Sequence, residues 1–113
     1  MNRRAYGLRA WILQRLTAVY MAAYLVYFMF HVMADAPHSY DAWRAWMGGP
    51  IVSVASALFF IAVLVHAWVG IRDVVMDYVK PVGLRFSVLS VFGLTLLACG
   101  LWVLRILIEV SQQ

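Results

Sequence analysis

Three long apolar runs dominate the chain, at about residues 16–33, 51–71 and 84–108. Polar, charged or helix-breaking residues separate them. Each run approaches or exceeds the roughly 20 apolar residues that an α-helix needs to cross a hydrocarbon core of about 30 Å. A helix satisfies its own peptide groups, which lipid cannot do. The pattern therefore predicts an all-α membrane protein with three transmembrane helices.

The segment between the first two runs predicts a fourth, shorter helix. Trp43 and Trp46 lie about one helical turn apart within residues 41–47, and Ser39 is suited to the N-cap position. Pro50 is suited to the first turn of the helix that follows. Because tryptophan rings concentrate at the level of the lipid headgroups, we expect the short helix to lie in the membrane interface.

The composition excludes a soluble domain. Of the 113 residues, 65% are apolar and 12% are charged, which is far from the balance of a soluble protein. No segment outside the three runs is long enough to bury a core of its own. We therefore expect residues 1–113 to form a single transmembrane anchor domain, and any soluble catalytic domain to belong to another polypeptide.

The basic residues report topology. Lys and Arg number nine against five Asp and Glu, which in a soluble protein would suggest a nucleic-acid partner. Here the charges lie largely outside the apolar runs, so no nucleic-acid partner is expected. Arg44 alone lies in the first loop, whereas the residues preceding span one include Arg3, Arg4, Arg9 and Arg15. The positive-inside rule therefore predicts a cytoplasmic amino terminus.

The second loop agrees with this orientation, because it lies on the same side and carries Arg72, Lys80 and, nearby, Arg85. Arg105, near the far end of the last run, is the one discordant charge. It can either extend to the opposite interface or pair with Glu109, one helical turn away.

Two histidines lie within the spans, where ionisable groups are costly and often functional. By helical rise, His66 lies about 9 Å inside the boundary at Arg72, and His31 lies about 24 Å from Arg15. Two imidazoles at such different depths cannot ligate one haem iron within a single chain. His66 is either a haem ligand whose partner comes from another subunit, or a hydrogen-bonded residue between helices. His31 lies near the far interface, and its simpler interpretation is a residue whose polar tip reaches water.

Asp77 and Tyr78 form a second candidate site, in the charged segment after span two. A phenolic hydroxyl can donate a hydrogen bond to a quinone carbonyl, and a carboxylate can relay the protons that quinone reduction consumes. The alternative is an ordinary solvated loop. Arg15, at the start of span one, is either a partner for haem propionates or an ordinary topological arginine.

A stretch at the end of span two reads His66-Ala-Trp-Val-Gly-Ile-Arg-Asp-Val-Val-Met-Asp77-Tyr78-Val-Lys80-Pro81. It resembles the hydrophobic membrane anchor subunits of the succinate dehydrogenase family, the smaller of two anchor chains. The specific part is the histidine followed twelve positions later by a tyrosine within Asp-Tyr-Val-Lys-Pro. The segment Trp11-Ile-Leu-Gln-Arg15-Leu-Thr-Ala resembles the family's entry to its first helix, and the three spans match over the whole chain.

The resemblance implies a role for each matching residue. His66 matches an axial ligand of haem b, with a companion cytochrome b subunit supplying the second histidine. Tyr78 matches a tyrosine that hydrogen-bonds ubiquinone, and Asp77 matches the acidic residue beside it. Arg15 matches an arginine near the haem and the quinone.

The resemblance also implies partners and a location. It predicts assembly with a flavoprotein subunit and an iron–sulfur subunit in the bacterial inner (cytoplasmic) membrane, with lipid around the spans. The chain would not be catalytic alone, but would be a subunit of a succinate:quinone oxidoreductase. Two alternatives stay open: the anchor of a quinol:fumarate reductase, and a structural or assembly membrane protein without a cofactor.

Overall fold

The computed structural model describes residues 3–112; Met1, Asn2 and Gln113 lie outside this description, as do the side chains of Arg3, Arg4 and Tyr6. The described part of the chain is helical apart from short connections. The helices are α1 (Arg3–Ala34), α2 (Tyr40–Met47), α3 (Pro50–Tyr78) and α4 (Val82–Ser111). Three of them, α1, α3 and α4, are long and apolar enough to cross a membrane. The predicted all-α fold with three candidate spans is confirmed.

Helix α3 is the centre of the arrangement. It packs along α1 on one side and α4 on the other, whereas within residues 3–112 no Cα of α1 lies within 8 Å of a Cα of α4. The buried residues of α3 are spread around the helix, because steps of six and seven positions turn by about 120° and 20°; this agrees with a helix that packs on two sides. They are Ser56, Ala62, Val69 and Val75. Because the outer helices do not close on each other, much apolar surface on all three faces outward.

The helix boundaries agree with the predicted caps. The Ser39 side chain accepts a hydrogen bond of 3.1 Å from the Ala42 backbone N–H at the start of α2. Pro50 occupies the first turn of α3. Proline is favoured at this position because a backbone N–H in the first turn of a helix has no partner within the helix, so nothing is lost when proline lacks one.

Two helices extend well beyond the apolar runs that predicted them: α1 begins at Arg3, before residue 16, and α3 ends after residue 71. Helix α3 continues to Tyr78, about two turns beyond the end of the apolar run at residue 71. No Gly or Pro interrupts residues 71–80, and Pro81 disfavours the helical conformation only for the residue before it. The charged segment that we expected to be a loop is therefore mostly helical, and Asp77 and Tyr78 occupy its last turn.

Two arginines cap the carboxyl-terminal ends of the long helices, where the last carbonyl groups lack partners within the helix. Arg85 donates from Nε to the Val79 carbonyl at 3.0 Å and from Nη2 to the Met76 carbonyl at 3.3 Å, both at the end of α3. Arg44 donates from Nη2 to the Gln112 carbonyl at 2.9 Å, at the end of α4. Arg44 thus ties α2 to the end of α4.

Arg105 takes one of the two positions that the sequence allowed. Its Nε lies 3.3 Å from Oε1 of Glu109, one turn further along α4. Both side chains are exposed, so the pair contributes little to stability. It nevertheless supplies a counter-charge for the arginine that disagreed with the topology pattern.

An aromatic cluster closes the end of the molecule that carries α2, and we call it the aromatic cap. The His31 and Trp46 rings stack with centroids 4.0 Å apart and planes 10° apart. The Tyr24 ring stacks on Phe59 at 4.4 Å. Behind the rings, the Tyr24 hydroxyl lies 2.7 Å from Oγ of Ser56, which is fully buried.

Candidate functional site

His66 lies where α3 packs against α1, and a hydrogen bond joins it to the neighbouring helix. Its Nδ1 is 3.1 Å from Oγ1 of Thr17. The same hydroxyl oxygen lies 2.8 Å from the Leu13 carbonyl and 3.1 Å from the Gln14 carbonyl, both in the preceding turn of α1. Within residues 3–112, Thr17 is the hydrogen-bond partner of His66, so Nε2 of the imidazole has none.

A cleft of about 920 Å³ opens beside His66, formed mainly by α1 and α3. Its volume lies near the upper end of the usual range for small-molecule sites, about 300–1,000 Å³. We call it the His66 cleft. Its lining consists of Gly7, Ala10, Trp11, Gln14, Arg15, His66, Trp68, Val69, Arg72, Asp73, Met76 and Leu89.

Basic groups give the cleft its charge. The Arg15 guanidinium lies 5.6 Å from the centroid of the Trp11 ring, a distance at which a cation and an aromatic face attract each other. Arg72 contributes a second guanidinium, and its Nη2 lies 3.1 Å from Oδ1 of Asp73. Because Asp73 offsets the charge of Arg72, Arg15 supplies the net positive charge of the lining, which favours an anionic or carboxylate-bearing ligand.

Gln14 contributes an acceptor without a partner. Its Oε1 is buried and accepts no hydrogen bond from the described residues. Its Nε2 faces α3, 3.5 Å from the position that a Cβ at Gly70 would occupy, so α1 approaches α3 closely there. Because buried polar atoms are nearly always hydrogen-bonded in native proteins, the orphaned oxygen offers an acceptor to a donor that is not among the described residues.

Asp77 and Tyr78 lie beyond the cleft, at the last turn of α3. Neither residue lines the cleft, and Tyr78 is 80% exposed. Along the helix, Tyr78 is about 18 Å from His66 and turned by about 120° around the axis, whereas Asp77 is turned by only about 20°. Asp77 therefore shares the side of α3 that carries His66, and Tyr78 faces another direction. The chain alone does not bring His66 and Tyr78 together.

The two intramembrane histidines are far apart. His66 bonds to Thr17, while His31 lies fourteen positions after Thr17 on α1, a rise of about 21 Å. Across the described residues, no three His, Cys, Asp or Glu side chains converge as a metal site. A metal at His66 would therefore need a ligand from another chain or from a cofactor.

Sequence reasoning missed two residues of the site, Gln14 and Thr17. The signal was present, because these two polar residues lie three positions apart in α1 at the start of the first apolar run. Such a spacing puts both side chains on one side of a helix. What the pattern did not reveal was that this side faces His66 rather than the headgroups or lipid.

Comparison with known proteins identifies the family. The family described as succinate dehydrogenase/fumarate reductase transmembrane subunit matches residues 2–102. The chain belongs to this family. A relative from Coxiella burnetii (strain RSA 493 / Nine Mile phase I), named succinate dehydrogenase hydrophobic membrane anchor subunit, is 29% identical over 106 residues. The alignment covers 94% of this chain and 90% of the relative.

The resemblance drawn from the two sequence segments is confirmed at the level of the family. Residues 2–102 contain α2 and α3, the described part of α1 and most of α4. The match therefore includes the His66 cleft and the last turn of α3. It assigns this succinate dehydrogenase/fumarate reductase family member to membrane complexes, in agreement with its three apolar helices.

Proposed function

We propose that the chain is the membrane anchor subunit of a succinate:quinone oxidoreductase. In this role it holds a flavoprotein subunit and an iron–sulfur subunit at the cytoplasmic face of a bacterial inner membrane. It shares a haem b with a companion cytochrome b subunit and forms part of the ubiquinone reduction site. The observation that carries the proposal is a histidine, hydrogen-bonded at Nδ1 only, beside a basic cleft in a member of this family.

The residues of the His66 cleft suit a haem. The cavity is large enough for a small-molecule cofactor, and His66 offers an imidazole nitrogen without a partner among the described residues. Arg15 suits a carboxylate that a haem carries, because a guanidinium matches carboxylate geometry, whereas Arg72 is already paired with Asp73. When bound, a haem b supplies a one-electron redox centre. Since the chain offers one suitable histidine there, the second axial ligand comes from the cytochrome b subunit.

The last turn of α3 suits a quinone head group at the edge of the membrane. The Tyr78 hydroxyl is exposed and can donate a hydrogen bond to a quinone carbonyl. Asp77 lies beside it and can pass on protons from water. Arg85 holds this turn in place by capping its carbonyl groups. Electrons reach the quinone from the iron–sulfur subunit, and the chain itself positions the quinone and its proton supply.

The test compares the two intramembrane histidines of one chain. The complex is purified through a tag on this chain, and reduced-minus-oxidised spectra are recorded for the native protein, His66→Ala and His31→Ala. We expect a b-type haem signal that disappears in His66→Ala and is unchanged in His31→Ala, because His31 is stacked on Trp46 at the other end.

A further variant covers the case in which His66→Ala prevents assembly. His66→Met keeps a side chain that can ligate haem iron, and methionine ligation raises the potential of a haem. We expect this variant to retain haem with a shifted spectrum and a higher midpoint potential. A native complex without b-type absorption, or an unchanged spectrum in both His66 variants, would reject the haem role and return His66 to helix packing.

A further inference from the structure

We propose that Thr17 is a positioning residue that holds the His66 imidazole in the tautomer with its proton on Nδ1. The lone pair of Nε2 is then available to a ligand in the His66 cleft. This inference rests on the proposed haem role, and it concerns a residue on the neighbouring helix that touches no iron itself. It follows from counting the donors and acceptors around one hydroxyl group.

The Thr17 hydroxyl has one proton to donate and two lone pairs that accept. Two of its three neighbours, the Leu13 and Gln14 carbonyl oxygens, can only accept. The shortest contact is the one to Leu13, at 2.8 Å, compared with 3.1 Å to Nδ1 of His66. The hydroxyl proton therefore goes to the carbonyl groups of its own helix, and a lone pair is left to face His66.

The local geometry of α1 supports this direction. A threonine in a helix commonly turns its hydroxyl back to the carbonyl of the preceding turn. Thr95 on α4 does the same, with Oγ1 2.8 Å from the Val91 carbonyl. The hydrogen bond to the Leu13 carbonyl is thus the ordinary conformation of a threonine in a helix, and it forms without any partner on α3. His66 must then supply the proton for the contact between the helices.

The other tautomer would cost a hydrogen bond. With the proton on Nε2, the lone pair of Nδ1 would meet the oxygen lone pairs of Thr17 unless the hydroxyl gave up its carbonyl bond. In an interior of low dielectric constant such an unsatisfied contact is expensive. The Nε2–H would also be unable to ligate iron. Histidines that bind metals usually donate their other ring N–H, which fixes the ring and makes the ligating nitrogen more basic.

The test replaces the hydroxyl and measures the haem rather than the turnover of the complex. Thr17→Val keeps the branched shape and removes the acceptor, Thr17→Ser restores it, and Thr95→Val removes the equivalent hydroxyl on α4. We expect Thr17→Val to bind haem about ten- to a hundred-fold more weakly. Its midpoint potential should rise, because a less basic imidazole stabilises ferric iron less. Thr17→Ser and Thr95→Val should resemble the native protein.

The outcomes separate this inference from the proposed function. A native complex that contains haem, together with native haem affinity and potential in Thr17→Val, overturns the role of Thr17 and leaves the haem role of His66 intact. If the native complex contains no haem, the haem proposal fails, and solid-state ¹⁵N spectra of the histidine-labelled complex report the tautomer directly. A protonated Nδ1 signal that is absent from His66→Ala and shifted in Thr17→Val supports the inference; a protonated Nε2 overturns it.

Discussion

The two ends of the helix bundle treat an intramembrane histidine in opposite ways. At one end, the His31 ring is stacked on Trp46 of helix α2 within the aromatic cap. At the other end, His66 lies beside an open cleft with guanidinium groups in its lining and an acceptor on Gln14 that no described residue satisfies. Each end has one buried polar atom without a partner among the described residues, Nε of Arg44 at the first and Oε1 of Gln14 at the second, but only the second lies at a cleft that also holds a histidine.

The difference teaches that depth in a span does not by itself mark a functional residue. Both histidines interrupt apolar runs, and both would be costly if they stayed unsatisfied in lipid. The His31 ring stacks on Trp46 and makes no hydrogen bond with the described residues, whereas His66 bonds to Thr17 through Nδ1 and lies beside a cleft that can take a ligand. The second arrangement suits ligand binding, and the first suits packing.

Deleting an aromatic ring from the aromatic cap, the closed end of the bundle, should have the largest effect on stability. Tyr24→Ala removes a ring stacked on Phe59 and the partner of the buried Ser56 hydroxyl. We expect a loss of about 3 kcal/mol, at the low end of the range for buried aromatic residues, because lipid tails weaken the hydrophobic contribution. Thermal unfolding of the complex in mild detergent measures it. Trp11→Ala, at the open end, should change stability by less than about 1 kcal/mol, and an equal loss in both variants would contradict the comparison.

Removing one hydroxyl at the open end, which carries the His66 cleft and the last turn of α3, should lower quinone reduction without affecting assembly. Tyr78→Phe keeps the ring and loses the donor that we assign to the quinone carbonyl. One hydrogen bond of up to about 1.5 kcal/mol corresponds to about a tenfold lower rate of succinate-dependent ubiquinone reduction. Reduction of a soluble dye by the flavoprotein part should stay unchanged. Tyr40→Phe, an exposed tyrosine at the closed end, is the matched control, and a similar decrease there would point to a general loss of membrane integrity.

The contact of α2 with α4 should have the smallest of these effects. Arg44→Met keeps the length of the side chain and removes the hydrogen bond to the Gln112 carbonyl. We expect a loss of about 1 kcal/mol, together with faster proteolysis of the segment around α2, because the capped carbonyl groups lose a charged donor. Arg105→Met removes an exposed ion pair and should cost less than about 0.5 kcal/mol. If the two arginine variants behave alike, Arg44 does not tie α2 to α4.

Much of the fold could be predicted because its determinants are local. Apolar runs of sufficient length define three helices, and Ser39 and Pro50 mark helix starts through the chemistry of unpaired N–H groups. Helix α3 continues beyond the predicted span, since the change from apolar to charged residues marks a membrane boundary and not a helix end. The predicted cytoplasmic amino terminus and interfacial position of α2 depend on a membrane, and they stay predictions.

The candidate site was only partly predictable from the chain. His66 could be singled out because an ionisable residue in an apolar run is costly, and Asp77, Tyr78 and Arg15 could be singled out by resemblance. Thr17 could not, because its role depends on how α1 is rotated and shifted against α3. That packing is set by contacts between residues far apart in sequence, such as Gln14 with Gly70.

The sequence by itself determined the number of spans, the family and the residue types available for chemistry, because hydrophobic length and short motifs are properties of neighbouring residues. Only the tertiary structure decided which histidine stacks on a tryptophan and which lies beside a cleft, which hydroxyl meets Nδ1, and which arginine caps which helix. These features depend on which faces of the three long helices pack together. The three helices are apolar almost all the way round, so the pattern of single residues does not reveal the packed faces.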